Sequence, residues 1–303
     1  LFLHCFNVFQ LRQFLILYNS LTEVCFNSCV YSLNGRSLIT DERQCVARCV
    51  EKNIRGNERI LATILRMDVL DDQGFRLDGR RADELRQMRC HVGAVAEGDG
   101  SAYLEQGLTQ VLAVVYGPTE GGRVRTRADR AVVECRVVDR NATPADRRPQ
   151  EYAQLLKKVF ETVVIGAHYP NSKIFIVCEV IANEGGLLAT CINACSMALM
   201  HAGVPMLDFV AACSLTCYND QPLLDVNHQE EVVAQLPRMT LALLVHDKTV
   251  ALSELSCRAH ADLVEAMLEQ GKQGCMQVWN VLDKQLRAQF SSIIRAQHVA
   301  DHV

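Results

Sequence analysis

The sequence has no excess of positive charge, few aromatic residues and no long uninterrupted apolar run. Lys and Arg number 31 against 35 Asp and Glu, a net charge of −4, and aromatic residues make up 6% of the chain. The apolar stretch over residues 1–18 is interrupted by polar side chains, whereas a membrane span needs about 20 mainly apolar residues. These features exclude a membrane span in that stretch and a basic surface spread over the whole protein.

The charge that is present is divided unevenly along the chain. Residues 1–66 carry eight Lys and Arg against five Asp and Glu, about +3, whereas the remaining residues carry 23 against 30, about −7. Any binding of a polyanion by the larger part must therefore use a local basic patch. The length of 303 residues and the change in sequence character at Met67 predict two domains, residues 1–66 and residues 67–303.

Cysteine is abundant, with 14 residues, and four of the five in the first domain form two C-x-x-x-C pairs. Apolar residues at helical spacing predict a helix that reaches the first pair, and the start signal "TDE" predicts a second helix. Cysteines four apart lie on one helix face, so two antiparallel helices would join Cys25 to Cys49 and Cys29 to Cys45. Two disulfides would stabilise a hairpin that is too small to build its own core.

Two alternatives to disulfides stay open for these four cysteines: a zinc site and chance placement in a core. Zinc sites more often use C-x2-C or C-x4-C spacing with ligands on turns, which disfavours zinc. The nine cysteines of the second domain lie mostly in apolar runs such as "IFIVCEV". We predict that those nine are reduced core residues.

The stretches "LRQFLILYNSLTEVCFNSCV" and "CVARCVEKNIRGNERILATIL" resemble the small Tim chaperones of the mitochondrial intermembrane space. The resemblance extends over about residues 10–66. It implies a hexameric ring with other small Tim subunits, which escorts hydrophobic carrier precursors to the inner membrane.

From Met67 onward, short apolar runs alternate with helical patterns. The pattern predicts three strands within 91–118, further strands at 130–138, 172–182, 208–217, 240–246 and 249–256, and helices at 149–165, 185–203 and 259–297. Because the strands come in groups with helices between them, the sequence favours an α+β fold over regular β-α-β units.

Four stretches of this second domain, "DQGFRLDGRRADELR", "DGSAYLEQG", "LAVVYGP" and "HAGVPMLDFVAACS", resemble the ribonuclease PH family and, within it, exosome ring subunits. The resemblance implies the ribonuclease PH fold, an α+β domain shared with a ribosomal protein. It also implies a six-subunit ring threaded by RNA, with other ribonuclease PH-like subunits, cap subunits and a hydrolytic exoribonuclease as partners, and no DNA. The implied location is the nucleus, the nucleolus and the cytoplasm.

Active members of that family cut the RNA 3′ end with inorganic phosphate, which implies three devices. Amides and a hydroxyl at a helix N-terminus hold the phosphate, arginines grip phosphate and RNA, and two aspartates six residues apart serve a metal ion or proton transfer. In "EGGLLATC" Gly186 is kept, but Leu187 stands where a small hydroxyl residue is expected. Asp225 matches the first aspartate, and Glu231 stands in place of the second.

The arginine device is incomplete as well. Arg147 and Arg148 match the family's first arginine motif, but the basic segment that usually follows is missing. We therefore expect a degenerate phosphorolytic site with no metal and no cofactor, Mg²⁺ being needed only if phosphorolysis persists. For Asp225 and Glu231 the alternatives are a solvated loop, a remnant RNA contact and a residual catalytic role.

By resemblance, the segment "GGRVRTRADR" over residues 121–130 faces the entry pore of the ring. In an extended loop its first three arginines lie on one side, where they could neutralise RNA phosphates without reading bases. The alternative is a solvated surface loop, and since few aromatic residues accompany the arginines, we expect base stacking to be minor. The predicted RNA-binding residues are Arg123, Arg125, Arg127, Arg130, Arg147 and Arg148.

The two domains call for opposite redox conditions, because disulfides form in the intermembrane space whereas exosome rings work in reducing compartments. We therefore expect two joined proteins, from a merged gene model, a true fusion or a dicistronic product, with Met67 where the second would begin. The favoured function is a non-catalytic exosome ring subunit for 3′-to-5′ RNA processing and degradation. An active phosphorolytic exoribonuclease and a small Tim chaperone are the alternatives.

Overall fold

A computed structural model of the chain describes residues 23, 25–30, 41–49, 69–70, 74–120, 129–140, 146–218, 221–232 and 236–300, without the side chains of 232 and 292–300. The chain divides into two compact units, Leu1–Asp68 and Val69–Val303. The predicted domain boundary between residues 66 and 67 lies outside the described residues.

In the first unit, residues 25–29 and 41–49 are helical, and two disulfides connect the two segments. Cys25 is bonded to Cys49 and Cys29 to Cys45, the pairing that antiparallel helices predict. The side chains of Cys25 and Cys29 are 1% and 2% exposed, so the first pair of sulfurs lies inside the hairpin. Because all four sulfurs are in disulfides, none is a thiolate that could bind zinc, and the zinc alternative is wrong. The predicted helix before Cys25 lies almost wholly outside the described residues.

The second unit begins with a five-stranded sheet. The strand order is β1-β2-β3-β5-β4, in which β4 runs parallel to β5 and the other neighbours are antiparallel. Along β5, buried and partly exposed residues alternate, as expected of a strand with one face on the core. The strands are β1 (Met88–Val92), β2 (Gly100–Gln106), β3 (Thr109–Glu120), β4 (Val132–Asp139) and β5 (Ser172–Ala182).

Two helices cover the inner face of this sheet: α1 (Arg148–Val163) packs on β4, and α2 (Leu187–His201) packs on β2 and β3. From Leu187 to Leu199 every residue of α2 is buried, as expected of a helix that is enclosed on all sides. Its buried Asn193 exchanges two hydrogen bonds with the backbone of Ala212, at 2.9 and 2.7 Å, which fixes α2 against the second sheet.

The second sheet has four strands in the order β7-β6-β8-β9, all antiparallel. Its strands are β6 (Val210–Tyr218), β7 (Gln221–Leu224), β8 (Arg238–Leu244) and β9 (Val250–Leu255). Helix α3 (His228–Val232) lies between β7 and β8, and helix α4 (Ala261–Ala300) follows β9. The predicted α+β class is confirmed, whereas β7 and α3 were not predicted, because four or five residues are too few for a periodic pattern.

Helix α4 also closes the free edge of the first sheet. Gln285 accepts from the Cys90 amide at 2.6 Å and donates to the Met88 carbonyl at 2.7 Å. One turn later, Gln289 accepts from the Val92 amide at 3.1 Å and donates to the Cys90 carbonyl. The two glutamine amides thus take the place of a neighbouring strand along β1, which satisfies an edge that would otherwise be open.

Most cysteines of this unit are core residues, as predicted. Seven are buried and Cys135 is partly buried, but Cys257 is exposed, so the prediction is wrong for that residue. Burial raises the pKa of Cys90, Cys135 and Cys275 to about 12, which keeps these thiols protonated and unreactive at neutral pH. Within the described residues, no helix combines the length and hydropathy needed to cross a membrane.

Candidate active site

A turn of two glycines precedes helix α2 at the centre of the second unit. Gly185 and Gly186 have φ angles of +96° and +65°, and Gly186 caps the helix. A Cβ atom on Gly185 would lie 2.5 Å from the backbone carbon of Asn227, and one on Gly186 would lie 2.8 Å from Ser214 Oγ. Only glycine fits at both positions, because the conformation and the space each exclude a side chain.

The carboxylate of Glu231 closes the N-terminus of α2. Glu231 Oε1 accepts a hydrogen bond from the Gly186 amide at 2.9 Å. The short helix α3 sets this position, since Asn227 Oδ1 accepts from the Glu230 amide at 2.9 Å and Glu230 Oε2 accepts from the Asn227 amide at 3.0 Å. A helix N-terminus favours negative charge, so Glu231 takes a place that suits a bound anion.

Asp225 lies just behind this turn and is completely buried. Its Oδ1 accepts from Arg86 Nη2 at 2.7 Å and from Gln106 Nε2 at 2.8 Å, and its Oδ2 accepts from the Arg86 amide at 2.7 Å. Burial by itself would raise the pKa of Asp225, but the charge and hydrogen bonds of Arg86, with the charge of Arg80, lower it below its usual value. A solvated loop is therefore the wrong interpretation for Asp225.

The same arginine ties Asp225 to the glycine turn. Arg86 Nη1 and Nη2 donate to the carbonyls of Glu184 and Gly185 at 3.0 and 3.1 Å. Thr109 Oγ1 donates to the Gly185 carbonyl at 2.9 Å from the other side. The turn, the Asp225 carboxylate and strand β3 are thus joined by one buried polar network.

A second buried arginine holds the loop between β7 and α3. Arg76 is 3% exposed, and its Nε donates to Glu230 Oε1 at 2.7 Å while Nη2 donates to the Asp225 carbonyl at 3.1 Å. Sequence reasoning missed Arg76 and Arg86, although both lie in the quoted stretch "DQGFRLDGRRADELR". No local pattern indicated their burial, because Phe75 and Leu77, the apolar neighbours of Arg76, are themselves exposed.

Arg148 and Tyr152 border the site from helix α1. Burial, together with the charge of Glu231, raises the pKa of Tyr152 to about 12, although the charge of Arg148 acts to lower it. The guanidinium of Arg148 is largely exposed, and its Nε lies 3.8 Å from Asp146 Oδ1. Arg147 is exposed just before the helix.

The remaining predicted residues have other places. Leu187 is the first residue of α2, and its buried side chain belongs to the apolar core, so it supplies no hydroxyl to the site. Arg130 is exposed at the start of β4 and pairs with Asp129 at 3.3 Å. Arg123, Arg125 and Arg127 lie outside the described residues.

Two carboxylates of the site, those of Asp225 and Glu230, do not fit a magnesium ion. Mg²⁺ is bound in proteins through carboxylate oxygens that are free to face it. Here the Asp225 oxygens already face Arg86 and Gln106, and Glu230 is paired with Arg76. In the part of the chain that the structure describes, no group of three or more His, Cys, Asp or Glu residues could hold a metal ion.

Three family models match the chain. Residues 84–205 match domain 1 of the 3′ exoribonuclease family described as RNase_PH, and residues 208–274 match domain 2 of the same family. Residues 7–65 match the Tim10/DDP family zinc finger. The two exoribonuclease matches together span both sheets and the Gly186–Glu231 contact.

Individual relatives also match the second unit, over nearly their whole length. The human protein named "Exosome complex component RRP41" is 41% identical over 231 residues, which are 73% of this chain and 94% of that protein. A putative exosome complex component RRP41 of Caenorhabditis elegans is 36% identical over 224 residues, 71% of this chain and 93% of that protein.

Solved structures share the fold. The crystal structure of rice Rrp46 superposes with a TM-score of 0.66 at 26% identity, over 70% of this chain and all of that one. A chain of an archaeal exosome core superposes with a TM-score of 0.61 at 21% identity, over 73% of this chain and 96% of that one.

The buried pair of Arg86 and Asp225 makes a testable prediction. Replacing Asp225 by Asn leaves the Arg86 guanidinium buried without its counter-charge, which should lower the free energy of unfolding by about 3–5 kcal/mol. Because the folded-state pKa of Asp225 is lowered, the pair stabilises the fold above the ordinary aspartate pKa, and this advantage is lost as the pH falls below about 4. Urea unfolding followed by the fluorescence of Trp279, the one tryptophan, measures both effects.

The matched control is Asp78→Asn. Asp78 pairs with Arg80 at 2.6 Å but is 32% exposed, so its loss should change the free energy of unfolding by about 1 kcal/mol or less. Equal effects of the two variants at neutral pH, or an Asp225→Asn deficit that persists unchanged in acid, would contradict the account.

Proposed function

The chain belongs to the 3′ exoribonuclease (RNase PH) family, and on this premise we propose that residues 67–303 form a non-catalytic ring subunit of an RNA exosome. In this role the unit lines the path of RNA during 3′-to-5′ processing and degradation, including rRNA maturation and mRNA turnover. The RRP41-named relatives support this role, because the chain aligns with nearly their whole length. The expected ribonuclease PH fold is confirmed by the family matches and by the rice structure.

The contact between Glu231 and Gly186 carries the non-catalytic part of the proposal. Phosphorolysis needs inorganic phosphate at the N-terminus of α2, where the Gly186 amide would donate to it. Glu231 Oε1 already accepts from that amide at 2.9 Å. At an effective dielectric constant near 20, two unit charges about 4 Å apart repel by about 4 kcal/mol, so a fixed carboxylate at this place disfavours a phosphate.

Two further features support the same conclusion. Asp225 is held by Arg86 and Gln106 in the interior, so it acts as a structural carboxylate and not as a metal ligand or a proton carrier. Leu187 stands at the start of α2 with an apolar buried side chain, so no hydroxyl completes an anion site there. We therefore assign no cofactor to this unit.

In this proposal the unit acts by assembly and by contact with RNA. Its partners are other ribonuclease PH-like subunits in a hetero-hexameric ring, cap subunits and a hydrolytic exoribonuclease that cuts the RNA. Exposed arginines, among them Arg130, Arg147 and Arg148, contact RNA phosphates without reading sequence. The unit works in the nucleus, the nucleolus and the cytoplasm.

The test is phosphorolysis by the assembled ring. We expect the chain, assembled with its ring partners and supplied with RNA, magnesium and phosphate, to release no nucleoside diphosphate, because Glu231 occupies the phosphate position and Leu187 supplies no hydroxyl to it. An archaeal exosome core under the same conditions is the positive control. Release of nucleoside diphosphate that disappears in a folded Asp225→Asn ring would establish an active site and overturn the proposal.

A second function is favoured for residues 1–66 by the two disulfides and by the Tim10/DDP match. We propose that this segment acts as a small Tim chaperone of the mitochondrial intermembrane space, with other small Tim subunits and hydrophobic carrier precursors as partners. The redox conditions that form its disulfides differ from those in which an exosome ring works. We therefore propose that the two segments act in different cellular compartments.

Cell fractionation with one antibody against each segment tests the separate addresses. We expect the antibody against residues 1–66 to label the intermembrane space and the antibody against residues 67–303 to label the nucleus and cytosol. A single species of 33.8 kDa that both antibodies detect in one compartment would contradict the separation.

A further inference from the structure

We propose that Tyr116 and Phe175 form a stacking surface for the bases of single-stranded RNA, on the outer face of the first sheet. This inference rests on the proposed function, since it needs RNA to pass along the second unit. It assigns a base contact to that passage, beyond the phosphate contacts of the arginines. The ligand class is single-stranded RNA of any sequence, because every base has a π-face.

The two rings are cross-strand neighbours. Tyr116 on β3 and Phe175 on β5 pair directly in the sheet, and their ring centroids lie 6.5 Å apart with the planes inclined by 30°. Both side chains point away from the core, because the adjacent residues Val115, Ile174 and Ile176 are fully buried on the opposite face of the sheet. The Tyr116 side chain is 36% exposed, which leaves ring surface open to solvent.

A lysine completes the surface. Lys173 lies on the same face of β5 as Phe175, and its Nζ is 5.2 Å from the centroid of the Phe175 ring. The ammonium also lies 2.5 Å from Glu134 Oε2, and both side chains stay more than a third exposed. The carboxylate holds the ammonium beside the ring, so the lysine covers one face of Phe175 and leaves the Tyr116 side for an incoming base.

The position of the two rings on the sheet suits contact with a passing RNA strand. A groove of about 490 Å³, lined by residues 118–120 and 168–172, adjoins the ends of β3 and β5 where the two rings lie. Strand β3 ends at Glu120, directly before the arginine-rich segment in the chain. Arg130 is exposed two residues before Val132, which pairs with Lys173, so an RNA strand whose phosphates contact Arg130 would bring its bases within reach of the rings.

The chemistry of the surface favours RNA over a protein partner. Sheets that bind single-stranded RNA present aromatic side chains on an open face, where they stack on two or three bases. The Lys173–Glu134 pair is neutral, so the surface offers π-faces and little net charge. Binding at this surface should therefore depend on the presence of bases and only weakly on salt, which distinguishes it from phosphate contacts.

The test compares RNA affinities of the assembled ring, measured by fluorescence anisotropy. Tyr116→Ala and Phe175→Ala should each weaken binding by about 5-fold to 150-fold, which corresponds to about 1–3 kcal/mol for the loss of one stacked base. Tyr116→Phe and Phe175→Tyr should bind as the native ring does, since they keep the ring. Leu108→Ala and Leu207→Ala, which remove other exposed apolar side chains, are the matched controls and should change nothing.

An abasic oligonucleotide identifies the contact as stacking. The native ring should bind RNA that lacks bases at the contacted positions as weakly as the Tyr116→Ala ring binds intact RNA. The Tyr116→Ala ring should bind abasic and intact RNA with the same affinity. Native affinity of both alanine variants for intact RNA would overturn the proposal. Failure of the alanine variants to enter the ring, with normal entry of the Leu108→Ala control, would overturn it too, because the surface would then be a contact between subunits.

Substitutions in the arginine-rich segment, residues 121–130, distinguish this inference from the proposed function. Replacing Arg123, Arg125 and Arg127 by Ala should reduce the salt slope of binding by about 2, at about 0.7 per phosphate contact, whereas the aromatic variants should leave it unchanged. Lys157, Lys272 and Lys284 replaced together give a control with the same charge change. If the arginine variant has a reduced salt slope but the aromatic variants bind RNA with native affinity, the stacking surface alone is contradicted. If the native ring does not bind RNA, both proposals are contradicted.

Discussion

The ion pair between Arg86 and Asp225 is the interaction on which the centre of the second unit depends. Both groups are buried, and the pair joins the segment before β1, the end of β7 and the glycine turn before α2. A buried charge is tolerated only with a partner and with its remaining hydrogen bonds satisfied. Gln106 donates a hydrogen bond to Asp225, and Thr109 Oγ1 accepts one from Arg86 Nη1 at 3.4 Å. Arg80 Nη1 adds a second positive charge 3.8 Å from Asp225 Oδ2, so the requirement is met and the two sheets and α2 are held at one geometry.

This geometry supports the structural role that we propose for Asp225 and Glu231. After Asp225 the chain enters α3, whose Asn227–Glu230 hydrogen bonds place Glu231 at the N-terminus of α2. The helix end is then capped by the protein itself, as a bound anion would otherwise cap it. In our proposals RNA meets only the surface of the unit, at exposed arginines and at two aromatic rings on the outer face of the first sheet.

The sequence could predict what depends on local spacing. Cysteines four apart gave the disulfide pairing, the two glycines marked the start of α2, and alternating runs gave most strands of the α+β fold. Partners that are distant in the chain could not be predicted in this way. Arg86 and Asp225 are 139 positions apart and Arg76 and Glu230 are 154 apart, so Asp225 was wrongly given the alternative of a solvated loop. Base stacking was expected to be minor because few aromatic residues accompany the arginines of residues 121–130, and the pairing of Tyr116 with Phe175 depends on two strands that are distant in the chain.

The closing of the α2 N-terminus by Glu231 can be measured directly by calorimetric titration of the assembled ring with inorganic phosphate. The matched pair is the native ring and a Glu231→Ala ring, in which the Gly186 amide loses its acceptor. The account predicts that the variant binds phosphate at one further site for each copy of this chain, a site that the native ring lacks. A native ring that already binds phosphate at that site, with the affinity and stoichiometry of the variant, would contradict it.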